Sequence, residues 1–91
     1  MKYKLTENKK EFDGVILFQI ISASDFGNVK SGQIGGWIEK EKNLSQSGDA
    51  WVYDNAQVYG NAWVSGNARV YENAQVYENV WVYGDARVYD N

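Results

Sequence analysis

The residues of this chain that could do chemistry recur at a fixed interval. Asp54, Glu72 and Asp90 stand eighteen apart, as do Arg69 and Arg87, Trp63 and Trp81, and Gln57 and Gln75. Carboxylates in such a series could hold a hard cation or act as an acid–base pair if the chain made them converge. A straight ladder does not make ligands converge. A solvated corner, its charge offset by Arg69 and Arg87, is therefore the simpler expectation. The chain has no His and no Cys. This excludes a zinc site of the usual kind, a thiolate nucleophile and a disulfide. Gly32, Gly35 and Gly36 do not link a strand to a helix as a phosphate loop would, and they read as turns. No catalytic residue, metal or cofactor is expected.

The element that spaces these residues is a six-residue repeat. From Asp49 the chain reads DAWVYD, NAQVYG, NAWVSG, NARVYE, NAQVYE, NVWVYG, DARVYD and a final Asn91. NLSQSG, residues 43–48, fits as a degenerate earlier unit, making about eight hexads. The small residue and the Val lie two apart and share one face of a strand, so Ala50 with Val52, Ala56 with Val58 and Ala62 with Val64 point inward. The variable residue and the Tyr point outward. The Gly or acid that precedes each Asn or Asp supplies a corner, since these residues tolerate left-handed backbone angles. Three hexads then close one turn of a triangular coil. Residues eighteen apart stack on adjacent rungs, about 4.8 Å apart. The fold class expected is all-β: a short parallel β-helix with an N-terminal antiparallel β cap.

The hexads resemble the hexapeptide-repeat pattern of left-handed parallel β-helices, an aliphatic residue with a small one four later. Val52 with Ala56, Val58 with Ala62 and Val64 with Ala68 fit it. The Tyr after the aliphatic departs from it. The left-handed sense is implied by the resemblance alone. That superfamily includes acyltransferases and carbonic anhydrases that rely on His, and this chain offers no position for that role. The stretch Gly35-Gly36-Trp37-Ile38-Glu39, followed by N-A-x-V-Y-G repeats, is similar to a group of short phage and prophage proteins. That resemblance implies an architecture and carries no activity with it.

Residues 1–42 are expected to form a hairpin-based cap and residues 43–91 the β-helix, together one folding unit. Tyr3 to Thr6 reads as a short strand, Lys9 to Gly14 as a turn, Val15 to Ile21 as a second strand, and Asp25 to Asn28 as another turn. A further short strand is expected between Val29 and Ile38, and no helix anywhere. Phe12, Leu17, Phe18, Ile20, Ile21 and Trp37 are candidates to cover the first rung, because a β-helix exposes its core and strand edges at each end. Ala86, Val88, Tyr89 and Asn91 would lie on an open last rung, and a homodimer through that end is expected.

Residues 1–42 carry seven Lys against six acids, and residues 43–91 two Arg against six acids, within a net charge of −3. An acidic repeat surface argues against nucleic acid. No secretory signal or membrane span is visible, so a cytoplasmic protein is expected, in the host cytoplasm if phage-encoded. Function then falls to the outward faces. One carries Trp51, Arg69 and Arg87 with Tyr53, Tyr71 and Tyr89, and Arg69 should stack over Trp51. Another carries Trp63 and Trp81 with Ser65 opening a notch beside Tyr83. Aromatic ladders can simply stabilise a sheet. They also resemble interface hot spots. The expectation is a non-enzymatic, phage-type module that contacts a protein partner, or inhibits a host system. The alternatives are a binder of a sugar or nucleotide, or a structural assembly element.

Overall fold

The computed structural model describes residues 1–90. Each hexad spends two to four residues on a strand and the rest on a corner. The strands are β4 (Trp51–Val52), β5 (Gln57–Val58), β6 (Trp63–Val64), β7 (Arg69–Glu72), β8 (Gln75–Val76), β9 (Trp81–Val82) and β10 (Arg87–Asp90). All pair in parallel, eighteen residues apart: Trp51 with Arg69, Gln57 with Gln75, Trp63 with Trp81, Arg87 with Arg69. Backbone bonds such as Gln57 N to Ala74 O (2.9 Å) and Arg69 N to Ala86 O (2.9 Å) join successive rungs. The residue ending each hexad turns the corner with positive φ. It is Gly at 48, 60, 66 and 84, and an acid at Asp54, Glu72 and Glu78. The inward Ala and Val residues from Ala50 to Val76 are buried. Each buried Val stabilises by about 1.5–3 kcal/mol.

Parallel stacking begins before the repeat. β3 (Ile34–Ile38) pairs in parallel with β5, and Leu44 bridges Val64. The inward column thus runs Ile38, Leu44, Val52, then Val58, Val64, Val70, then Val76, Val82, Val88, forming three rungs. The first step on two of the sides is twenty residues rather than eighteen, with Ile38 opposite Val58 and Leu44 opposite Val64. Leu44 therefore occupies a Val position, not the small-residue position that an in-phase NLSQSG hexad would give it. The two surplus residues fit in the corner around Ser45 to Asp49, where Ser47 N donates to Ser45 Oγ (3.2 Å).

β1 (Tyr3–Phe12) and β2 (Val15–Ser22) form an antiparallel hairpin. Its two-residue turn, Asp13 and Gly14, has φ values of 57° and 82°, the primed type that suits the strand twist. The turn is tighter than the expected Lys9 to Gly14, because β1 continues to Phe12 after an irregularity between Leu5 and Lys9. β2 pairs antiparallel with β3, extending that side of the coil into a sheet of order β1-β2-β3-β5-β8. A single 3-10 turn, Glu41–Asn43, follows β3.

The cap does more than cover apolar surface. Lys2 Nζ donates to Ala50 O (2.8 Å), Ser47 O (3.4 Å) and Gly48 O (3.4 Å), and Tyr3 Oη donates to Leu44 O (2.6 Å) and Glu41 O (3.1 Å). These are carbonyls of the first rung and its corners. Ile20 joins the core as expected, together with Tyr3 and Val29, whereas Leu17 is buried outside that cluster. Phe12, Phe18, Ile21 and Trp37 are half-buried. Gly35 and Gly36 are strand residues of β3, not turns. A Cβ on Gly35 would lie 2.6 Å from Trp51 Cζ2, and one on Gly36 2.7 Å from Ala56 O, so only Gly permits this approach.

Candidate functional site

The parallel register determines which outward side chains stand together. Trp63 and Trp81 are direct neighbours on β6 and β9, with ring centroids 5.5 Å apart at 86°. The corner before each carries an Asn, and Asn61 Nδ2 donates to Asn79 Oδ1 (3.4 Å). One rung below, the 3-10 turn places Lys40 and Lys42 beside this corner. Its geometry is fixed by Asn43, whose Oδ1 accepts from the backbone N of Glu39 (3.1 Å) and Lys40 (2.9 Å). The same side chain donates through Nδ2 to Ala62 O (2.9 Å) and Gly60 O (3.3 Å), tying the turn to the next rung. Glu39 adds a second tie by accepting from Gly60 N (2.8 Å).

The result is an open groove of about 640 Å³ lined by Lys40, Lys42, Asn61, Ala62, Trp63, Asn79 and Trp81. Trp63 is 39% exposed and Trp81 62% exposed, so both rings are available. Two cations, two indoles and an amide ladder lining one groove suit a ligand with anionic groups and a flat ring. Tyr83 is exposed but does not line the groove, and Ser65 is buried, so it opens no notch. The two lysines were missed in the sequence because they precede the repeat. The eighteen-residue spacing does not locate them, because the step on this side is twenty residues, with Leu44 opposite Val64.

The other expected face divides. Trp51 is fully buried, which corrects its placement on an open surface. The N-terminal segment folds over it: Phe26 packs edge-on at 5.3 Å and Tyr3 at 6.2 Å. Arg69 does not stack over it; the cations found over rings are Lys2 on Phe26 (4.9 Å) and Lys10 on Trp37 (4.4 Å). Gln57 is likewise buried. Tyr53, Arg69 and Tyr71 remain together, lining with Asn28, Asp54 and Arg87 a second cleft of about 300 Å³. Burial pushes the Tyr53 phenol above its ordinary value, with Arg69 opposing and Asp54 adding to the shift. The acids at the corners form no cation cluster among the described residues. Instead, Asp54 Oδ2 accepts from Glu72 N (2.9 Å). On the last rung Ala86 and Tyr89 are exposed and Val88 packs partly against the core. Asn91 lies outside the described residues.

Comparison with known proteins adds two findings. The YdcK β-solenoid repeat family matches residues 56–72 and 62–78. An Escherichia coli (strain K12) protein named as an uncharacterized acetyltransferase, YdcK, is 44% identical over 77 residues, covering 75% of this chain and 24% of the relative. The chain therefore spans about a quarter of the length of that relative. Both findings agree with the hexapeptide-type coil. They overturn the expectation of a non-enzymatic phage or prophage interaction module, since the relative is a bacterial protein bearing an enzyme name.

Proposed function

We propose that this chain is a β-solenoid unit of an acetyl-transfer protein, and that the groove between Lys40, Lys42 and the Trp63–Trp81 pair holds the acetyl donor. The observation that carries this reading is the groove's pairing of two cations with two stacked-rung indoles. Coenzyme A, the common carrier of acetyl groups, presents a diphosphate and a purine on one flexible chain. Lys40 and Lys42 would attract the phosphates, one Trp face would stack on the purine, and Asn61 and Asn79 would hydrogen-bond its edges. The name of the E. coli relative supports the reaction class. In such a transfer the acceptor's amine or hydroxyl attacks the thioester carbonyl, the thiolate leaves, and the acceptor's proton passes to a base. These 91 residues contain no His, so their assigned part is to bind and orient the donor, and the base is assigned to none of them.

Equilibrium titration of the full chain with coenzyme A, read by tryptophan fluorescence and by calorimetry, tests the reading. Base stacking on an aromatic side chain is worth about 1–3 kcal/mol. Trp81→Ala should therefore weaken binding by about fivefold to 150-fold, with the circular dichroism unchanged. Lys42→Gln should weaken it further at low salt than at high salt. Absence of saturation at millimolar coenzyme A, or undiminished affinity in Trp81→Ala, would sink the proposal.

A further inference from the structure

The coil has a second feature that the donor groove does not use. Arg69 and Arg87 are direct register partners on β7 and β10. Their Cα atoms are therefore one strand spacing, about 4.8 Å, apart. Like charges directly opposite one another destabilise a sheet. Asp49 and Asp85 flank the same arginines across a neighbouring depression and moderate the repulsion. On the other side the arginines open into the cleft with Tyr53, Tyr71, Asp54 and Asn28. The platform is rigid. β7 and β10 pair over four residues, where the other two sides of the coil pair over two at these rungs. Tyr53 and Tyr71 meet edge-on at 6.3 Å and 84°, and Tyr71 stacks on Tyr89 at 5.1 Å and 20°.

We propose that this cleft binds a phosphate monoester carried on a flat ring. Two guanidinium forks in register offer two positive charges and parallel N–H donors, which match a dianionic phosphate better than a single carboxylate. The half-buried faces of Tyr53 and Tyr71 flank the ring, and Asn28, reaching in from the cap, donates to its edge. Asp54 also lines the cleft and opposes part of the arginine attraction, by the same fraction for every anion, so that two guanidinium charges against one carboxylate still favour the more highly charged ligand. The cleft is independent of the acetyl-donor reading, because it shares no residue with the groove of Trp63 and Trp81.

The test uses the full chain and three probes, phenyl phosphate, inorganic phosphate and benzoate, at ionic strength matched with sodium chloride. Calorimetry should rank phenyl phosphate first, inorganic phosphate second and benzoate last. The double variant Arg69→Gln, Arg87→Gln should lose at least tenfold in phenyl phosphate affinity. Without ligand it should melt no lower than the parent, because a repulsion has been removed. Should that variant not fold, Arg87→Lys keeps the charge without the fork and should bind about threefold to tenfold more weakly. Tyr71→Leu should erase the preference for phenyl phosphate over inorganic phosphate and retain phosphate itself. Trp81→Ala should leave all three affinities unchanged. Equal binding by the double arginine variant, benzoate bound as tightly as phenyl phosphate, or an equal thermal shift from chloride alone would overturn the assignment.

Discussion

Lys2 shows how one side chain ties the cap to the coil, and its titration makes the tie measurable. Its ammonium is buried among the carbonyls of Ser47, Gly48 and Ala50 and over the Phe26 ring. Burial lowers its pKa from 10.5 to about 8, with Asp49 partly opposing the shift. The unfolded chain therefore binds this proton more tightly than the folded one, and stability rises with pH from about 8 towards 10.5. Tyr3 works in the opposite sense. Burial, reinforced by Glu41, raises its phenol above the ordinary value of 10.0, so the unfolded chain ionises first and stability falls above about pH 10. Tyr53 and Tyr59 are shifted in the same direction as Tyr3. The melting temperature should thus climb between pH 8 and 10 and drop beyond. Lys2→Met should flatten the climb and keep the drop; a climb that persists in that variant would refute the assignment. None of this was legible in the sequence, where Lys2 is one of several Lys in a charged N-terminus. Its burial depends on Gln46, whose Oε1 accepts from Lys2 N (2.9 Å), across forty-four residues of chain.

At the scale of the element, the corner decides what each hexad tolerates. Gly48 and Gly84 both have positive φ, at 74° and 65°, which costs an L side chain about 1–2 kcal/mol. Their surroundings differ. A Cβ on Gly48 would lie 2.6 Å from Gly66 O on the rung above, while one on Gly84 meets nothing within 4 Å. Gly84→Ala should therefore lose only the backbone term, about 1–2 kcal/mol in urea unfolding. Gly48→Ala should lose clearly more, and equal losses would show that rung contact does not matter. The hexad pattern made these corners, the inward Ala and Val columns and the side-by-side ladders legible, because each follows from a local period. The twenty-residue first step did not follow, since Ser45 to Asp49 gives no local sign that its corner is wider. Nor did the burial of Trp51. It occupies the same hexad position as Trp63, and only a segment folded from elsewhere, with Phe26 and Tyr3, distinguishes them. The groove was half legible for the same reason: Trp63 and Trp81 belong to the period, and Lys40 and Lys42 do not.

Across the whole molecule, two periods with different tasks are superposed. The core repeats every six residues, because nearly every side of the coil presents the same Ala and Val inward. The surface repeats every eighteen, because the outward residues differ from side to side and match only one full rung away. An insertion can respect one period and violate the other. Duplicating residues 55–72 adds one rung and keeps Trp63, its copy and Trp81 in one column above Lys40 and Lys42. Duplicating residues 67–72 adds one side, so that Gln75 replaces Trp81 above Trp63 and Trp81 moves above Arg69 on a different face. Both chains should fold, since stability in such stacks is approximately a sum over units and their nearest neighbours. The longer duplication should raise the urea midpoint and retain coenzyme A binding within about twofold. The shorter should keep the β-type circular dichroism but lose the stacking contribution of one indole, about 1–3 kcal/mol, and hence at least fivefold in affinity. An unfolded six-residue duplicate would show that the outward ladders, not the core alone, hold the coil in register. A folded one that still binds coenzyme A with full affinity would move the donor away from the paired indoles.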